Sequence, residues 1–286
     1  MEEQESNTKA EWAKAMGVSR SGFYSWRKER EAREARYNEL AEKVERIFKE
    51  GKNMYGAERI CGLIRKEGGK ASFKKVQAIM REKELYSVHK SPKRRGKARS
   101  GVKNPDLENL TKGLEINQAF QVLSSDITYI STKEGWDYLC QIRDVYSNTV
   151  LAHVQQSRMT ADIVLKALEL AMKQWEIPKG SIFHSDRGSQ YTAKEVMETI
   201  RGYGLRQSFS CTGKPGENAW SESFFSILKK EIFHGRVCKT REEARQRVFE
   251  YIEGYYNRSR AQKRLGYLSP TKFLSDVQQE IRISVS

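Results

Sequence analysis

The sequence has no apolar run long enough to span a bilayer: nothing approaches eighteen consecutive apolar residues in the 286, so a membrane-spanning helix is not expected. Its first residues, MEEQESNTKAEW, are acidic and lack an apolar h-region, which argues against a secretory signal. Cysteines are few and scattered. Cys61, Cys140, Cys211 and Cys238 form no Cys-x-x-Cys pair, and the four histidines do not gather beside them at zinc-ligand spacing. Reduced thiols in a cytoplasmic protein are the expectation. Acidic residues are also short, 37 Asp+Glu against 52 Lys+Arg, for a net charge of +15.

That charge is unevenly placed. Residues 1–105 carry a net +12, and the remainder only +3. A positive field concentrated in the front third points to a polyanionic partner. Hydrophobic residues at 38% still provide for globular cores.

The front third reads as helices. Trp12, Ala13 and Met16 have helical spacing, Gly17-Val18-Ser19 interrupts, and Phe23, Tyr24 and Trp26 resume it. Ser19 is placed to cap the second helix. This is a helix-turn-helix pattern over 1–30, with Arg20 and Ser21 near the start of a recognition helix. A charged helix is expected over roughly 31–50. A second helical DNA-binding segment, within 31–88, carries Ile60, Leu63 and Ile64, a Gly68-Gly69 stop, then Val76, Ile79 and Met80 behind a Ser72 cap. Residues 89–112 follow as a basic linker. Its 89–103 portion has seven Lys/Arg and no acid, a composition that builds no core, and Lys93, Arg94, Arg95, Lys97 and Arg99 are placed to meet phosphates.

From about residue 120 the period changes. Phe120–Ile130, Trp136–Val145 and Thr149–Val154 read as three hairpin-linked strands. A helix over 160–175, a strand at 181–183, a helix over 192–203, a strand at 205–209 and helices over about 217–234 and 240–258 complete the pattern. That order matches an α/β, ribonuclease H-like core, a mixed five-stranded sheet with helices, over 113–235. A C-terminal helical extension is expected over 236–286.

Three carboxylates stand out in this framework. Asp126 lies inside the apolar strand SSDITYI, where a charge is costly unless it is paired or binds a metal. Asp186 follows the buried-looking SIFHS. Glu222 lies on the helix NAWSESFFSILKKE, on the same side as Ser226 and Lys229, while Phe224, Leu228 and Ile232 face the sheet. Carboxylates brought together repel unless cations neutralise them. Hard oxygen ligands suit Mg²⁺ or Mn²⁺, and two such ions can drive an in-line displacement at phosphorus without a protein nucleophile.

These stretches carry a specific resemblance. DITYI, HSDRGSQY, ENAWSESFFSILKKE and, near the C-terminus, YIEGYYNRSRAQKRLGYLSPTKF resemble bacterial insertion-sequence transposases of the retroviral-integrase-like DDE type, in particular their second-reading-frame product. The 35 residues between Asp186 and Glu222 match the family's spacing, and YGAERICGLIRKEG resembles its N-terminal helix-turn-helix segment. The resemblance implies that Asp126, Asp186 and Glu222 ligate the metals. It places His184, Ser189, Gln190 and Asn218 near them and Lys229 on the DNA end. It further implies double-stranded DNA as substrate, strand nicking followed by 3′-hydroxyl transfer, and at least two subunits to join two ends. Two departures are visible. Where relatives have a tryptophan before the first aspartate, this chain has Phe120, Val122 and Leu123, and the zinc-binding module of retroviral integrases is absent. A non-catalytic DNA-binding regulator and a nuclease of the same fold without strand transfer are the alternatives. The carboxylate triad argues against the first, and the helical segments with Lys229 against the second.

Overall fold

The computed structural model describes residues 14–15, 17–88, 108–210 and 219–285. The chain divides into two compact units that meet between Ser87 and Val88.

The N-terminal unit is helical. α1 (Arg20–Glu50) starts where Ser19 accepts a hydrogen bond from the Gly22 N–H at 3.0 Å. It runs unbroken for 31 residues, so no structural boundary falls at residue 30, and the charged helix expected from 31 continues the one that starts at Arg20. Its later half supplies Val44, Ile47 and Phe48 to a small core. α2 (Ala57–Lys66) adds Ile60 and Ile64, and α3 (Phe73–Glu82) adds Val76, Ile79 and Met80. Ser72 caps α3 by accepting from the Lys75 N–H. Among the described residues, no helix of the chain is long and apolar enough to cross a membrane.

The second unit is built on one five-stranded sheet. Its strands are β1 (Val122–Thr132), β2 (Gly135–Asp144), β3 (Val150–Gln156), β4 (Ile182–Ser185) and β5 (Arg206–Phe209). The spatial order is β3-β2-β1-β4-β5, with β1, β2 and β3 antiparallel and β1, β4 and β5 parallel. This mixed sheet with its helices is the ribonuclease H-like arrangement. Strand alternation sends neighbouring residues to opposite faces, as Val122 and Leu123 demonstrate. Leu123 joins Ile142, Leu151 and Phe183 beneath α4 (Ala161–Gln174), the short α5 (Ser189–Thr192) and α6 (Lys194–Gly202), whereas Val122 packs with Val145 and Ile182 beside Trp220. The positions before Asp126 that lack a tryptophan are thereby filled with apolar side chains, and Phe120 meets the indole of Trp175 with ring centroids 6.2 Å apart.

α7 (Ala219–Phe233) covers the second face, burying Phe224, Phe225 and Leu228, while Ile232 is only partly covered. The C-terminal residues do not stand apart as an extension. α8 (Arg241–Tyr251), a π-turn (Ile252–Tyr256) and α9 (Pro270–Val285) belong to the same compact unit as the sheet. Asn257 ties them to β3, accepting from the Val150 N–H at 3.0 Å and donating to the Val150 carbonyl at 2.9 Å.

Candidate active site

The first aspartate is set by strand pairing. Asp126 sits opposite Gln141, and the Gln141 amide donates to Ser221 Oγ at 3.2 Å on the first turn of α7. Directly paired residues share a face, so Asp126 points to the side that α7 covers. It is half-buried, and its Oδ1 accepts from the Ile127 N–H at 2.8 Å.

Asp186 follows the last residue of β4. Its Oδ1 accepts from the Gly188 N–H at 3.0 Å, the two-residue reach of an Asx-turn. A side chain at position 188 would crowd the site: a Cβ there would lie 3.0 Å from Asp186 Oδ1 and 3.2 Å from Gln190 Oε1. Arg187 secures the same turn by donating from Nε to the Ser210 carbonyl at 3.0 Å.

Glu222 is exposed on the first turns of α7, and several buried groups hold that end. Arg143 donates from Nη2 to the Trp220 carbonyl at 2.5 Å and lies 5.6 Å from the Phe224 ring. The His184 and Trp220 rings meet edge-on at 5.9 Å. The far end of α7 is held by a buried charge pair. Glu231 receives Arg260 Nη2 at 2.7 Å and the Tyr251 hydroxyl at 2.7 Å. Burial works to lower the Arg260 pKa, but the hydrogen bonds and charge of Glu231 outweigh it and raise it.

Electrostatics link the three carboxylates. The Asp126 carboxyl is pushed up to about 7, first by burial, then by the charge of Asp186 and further by that of Glu222. The Ile127 N–H and the Lys229 ammonium act in the opposite direction. Asp126 therefore feels both partners, although one follows it by sixty residues and the other by nearly a hundred. Among the described residues, no three His, Cys, Asp or Glu side chains close into a group able to hold a metal ion. The donor set is nevertheless all oxygen, and Gly188 leaves the approach to Asp186 clear. Both features fit a hard divalent cation.

The other expected residues separate. Lys229 is half-buried, two helical turns beyond Glu222, with its Nζ 4.5 Å from the Tyr129 ring centre. His184 is fully buried in β4, and its Nδ1 lies 2.9 Å from Ser208 Oγ on β5, a side-chain tie between the two strands. Ser189 is exposed in the short turn after Gly188, and Gln190 donates to the Met159 carbonyl at 3.2 Å beside Asp186. Ser21 is exposed, its Oγ 3.3 Å from Ser19 Oγ in the capping turn of α1. Arg20 opens α1. Asn218, Lys93, Arg94, Arg95, Lys97 and Arg99 lie outside the described residues.

Several contributors were not visible as site residues in the sequence: Gln141, Arg143, Arg187 and Gly188. Only Gly188 carries a local signal, since Asp-Arg-Gly is a turn sequence in which an aspartate caps its own backbone.

Comparison with known proteins identifies the family of the chain. Residues 116–215 and 222–276 match the family described as Integrase core domain, and residues 36–95 match the HTH-like domain family. The chain is 35% identical over 240 residues to the transposase for insertion sequence element IS904 of Lactococcus lactis, spanning 82% of this chain and 92% of that one. It is 32% identical over 274 residues to transposase InsF for insertion sequence IS3A of Escherichia coli, spanning 91% of each. The catalytic core of BIV integrase aligns with 57% of this chain and 98% of its own, at 16% identity and a TM-score of 0.44. The chain belongs to the insertion-sequence transposases with an integrase core, and is a polynucleotidyl transferase.

Proposed function

We propose that Asp126, Asp186 and Glu222 form the phosphoryl-transfer site, holding two Mg²⁺ or Mn²⁺ ions against double-stranded DNA at the ends of the element. The observation that carries this reading is the half-buried Asp126 carboxyl, raised first by burial and then by the charges of Asp186 and Glu222. Gathered acids raise one another's affinity for protons, and a divalent cation relieves that repulsion in a proton's place. When bound, such ions activate the attacking oxygen and stabilise the leaving one.

The residues divide the remaining work. The Asx-turn fixes the Asp186 carboxylate, while Gln141, Arg143 and Ser221 hold the start of α7 so that Glu222 faces the strand ends. Lys229 offers a positive charge to the strand near Asp126. In the first step water oxygen bonds to phosphorus, the bond from phosphorus to O3′ breaks, and O3′ takes up a proton, which leaves a 3′-hydroxyl and a 5′-phosphate. In the second step that hydroxyl oxygen gives up its proton and bonds to the phosphorus of another phosphodiester, while the bond from that phosphorus to its own O3′ breaks and the leaving O3′ takes up a proton. Joining two ends requires at least two subunits. The basic residues Lys93, Arg94, Arg95, Lys97 and Arg99 and the helical front unit, with Arg20 and Ser21, supply phosphate contacts.

Labelled candidate element ends incubated with the protein in Mg²⁺ should give nicked and joined products that chelator abolishes. Asp186→Asn should retain DNA binding and lose both products to the chelator level. Normal cleavage by that variant would overturn the assignment. Replacing Arg94 and Arg95 by alanine should reduce the slope of log affinity against log salt by about 1.8 units, at about 0.9 per phosphate. An unchanged slope would remove those two side chains from the interface.

A further inference from the structure

We infer that the groove between the tip of the β1–β2 hairpin and the C-terminal end of α7 is a stacking site for one unpaired nucleobase of the DNA strand that enters the carboxylate site. The inference rests on the reading of Asp126, Asp186 and Glu222 given above.

The groove measures about 600 Å³ and is lined by Tyr129 and Trp136 from the hairpin and by Lys229, Lys230, Phe233 and Arg236 from α7 and the residues after it. Across the antiparallel ladder Ser131 faces Trp136 and Tyr129 faces Tyr138, which makes Tyr129 and Trp136 diagonal neighbours on one face. Their rings meet edge-on, with centroids 5.1 Å apart. Both stay in solvent: Tyr129 is 59% and Trp136 50% exposed, whereas Tyr191 and Phe224 in the same unit are each 1% exposed. Among the described residues, the hairpin pair joins neither core cluster of the sheet.

Two further features connect the pair to DNA. The first is charge. Lys229 Nζ lies 4.5 Å from the Tyr129 ring centre, and Lys230 and Arg236 line the same groove, while no acidic side chain does so among the described residues. Aromatic faces interleaved with cations suit a strand that presents a base and a phosphate in turn. The second is distance. Lys229 follows Glu222 by seven positions, some 20° short of two helical turns, and so lies on the same side of α7 about 10 Å along its axis. At 3.4 Å per stacked nucleotide this corresponds to about three steps along a strand. The pairing of β1 with β4 ends at Ser124, so β1 beyond that point continues past the carboxylates toward the groove without the β4 ladder.

At about 600 Å³ the groove has room for a base with its sugar and phosphate. Stacking on Tyr129 and Trp136 would offset the cost of unpairing a terminal base, and it would do so for any base, since each has a π-face. The hairpin then acts as a clamp that keeps the frayed strand aligned with the cut.

The full chain should be titrated, with chelator present, into fluorescent duplexes ending in three unpaired thymidines of either polarity, in three abasic residues, or blunt. Fluorescence anisotropy should show the thymidine overhang of one polarity binding about tenfold tighter than its abasic counterpart. Tyr129→Ala and Trp136→Ala should each erase that preference while keeping blunt-duplex affinity and the wild-type melting temperature. Tyr129→Phe should restore it. Equal wild-type affinity for base and abasic overhangs, or an undiminished preference in both alanine variants, would overturn the inference. Equal affinities together with loss of self-association in Trp136→Ala would assign the groove to a second copy of the chain instead. Asp186→Asn should retain the base preference, so a failed assignment of the metal ligands and a failed stacking site give different results.

Discussion

The two units of this chain place their charged residues in opposite ways. In the N-terminal unit charge stays outside. Arg27–Glu31, Arg30–Glu34 and Arg46–Glu50 are exposed pairs one helical turn apart, and the buried side chains, from three successive helices and the turn before α2, carry no charge. The catalytic unit has exposed pairs too, such as Lys166–Asp162, but there some charge also goes inside. Glu231 and Arg260 are a buried pair, Asp137 is fully buried against Arg245, and Asp144 is fully buried beneath the Phe120 and Ser147 amides. Helices that need only pack can leave their charges to water. A sheet joined to helices from distant parts of the chain is fixed to them by buried polar ties that span long stretches of sequence. The partners of Asp137 and Asn257 lie 108 and 107 positions away.

This contrast can be broken most readily at Arg260. Arg260→Ala leaves the Glu231 carboxylate buried without its cation and should cost about 3–5 kcal/mol in urea unfolding. Glu231→Leu combined with Arg260→Met should recover much of that loss. A loss below about 1 kcal/mol for the single change would place the pair with the surface pairs of the front unit. Next in size is Asp144→Asn. Asp144 accepts from the Phe120 N–H at 2.9 Å, the Ser147 N–H at 2.8 Å and Ser147 Oγ at 2.5 Å. An amide turns one acceptor into a donor facing donors, so thermal unfolding should register about 1–3 kcal/mol. Wild-type stability in this variant would show that the hydrogen bonds are replaceable by water. The smallest effect belongs to the front unit: Ser72→Ala removes the α3 cap and should cost about 1 kcal/mol. A larger loss would mean that this unit also depends on buried polar contacts.

The same contrast explains what the sequence could reveal. The three strands, the 161–174 helix and the Ser19 and Ser72 caps were legible because alternation, helical period and capping chemistry are local. The unbroken α1 was not, since its exposed first half carries charges with little apolar period to mark continuity across residue 30. The attachment of residues 236–286 to the sheet was likewise hidden. Arg245, Asn257 and Arg260 look like surface residues until their partners Asp137, Val150 and Glu231 are brought beside them. At the proposed site, strand placement and family spacing pointed to the three carboxylates. The supports Gln141 and Arg143 escaped notice because polar residues on a strand also fit a solvated face, and only α7 lying across them decides otherwise.

Calorimetric titration of Mn²⁺ into the full chain and into Asp126→Asn, Asp186→Asn and Glu222→Gln tests the shared carboxylate site most directly. The account predicts saturable Mn²⁺ binding to the native protein and its loss or severe weakening in each of the three variants. Native-strength binding in any one of them would contradict it.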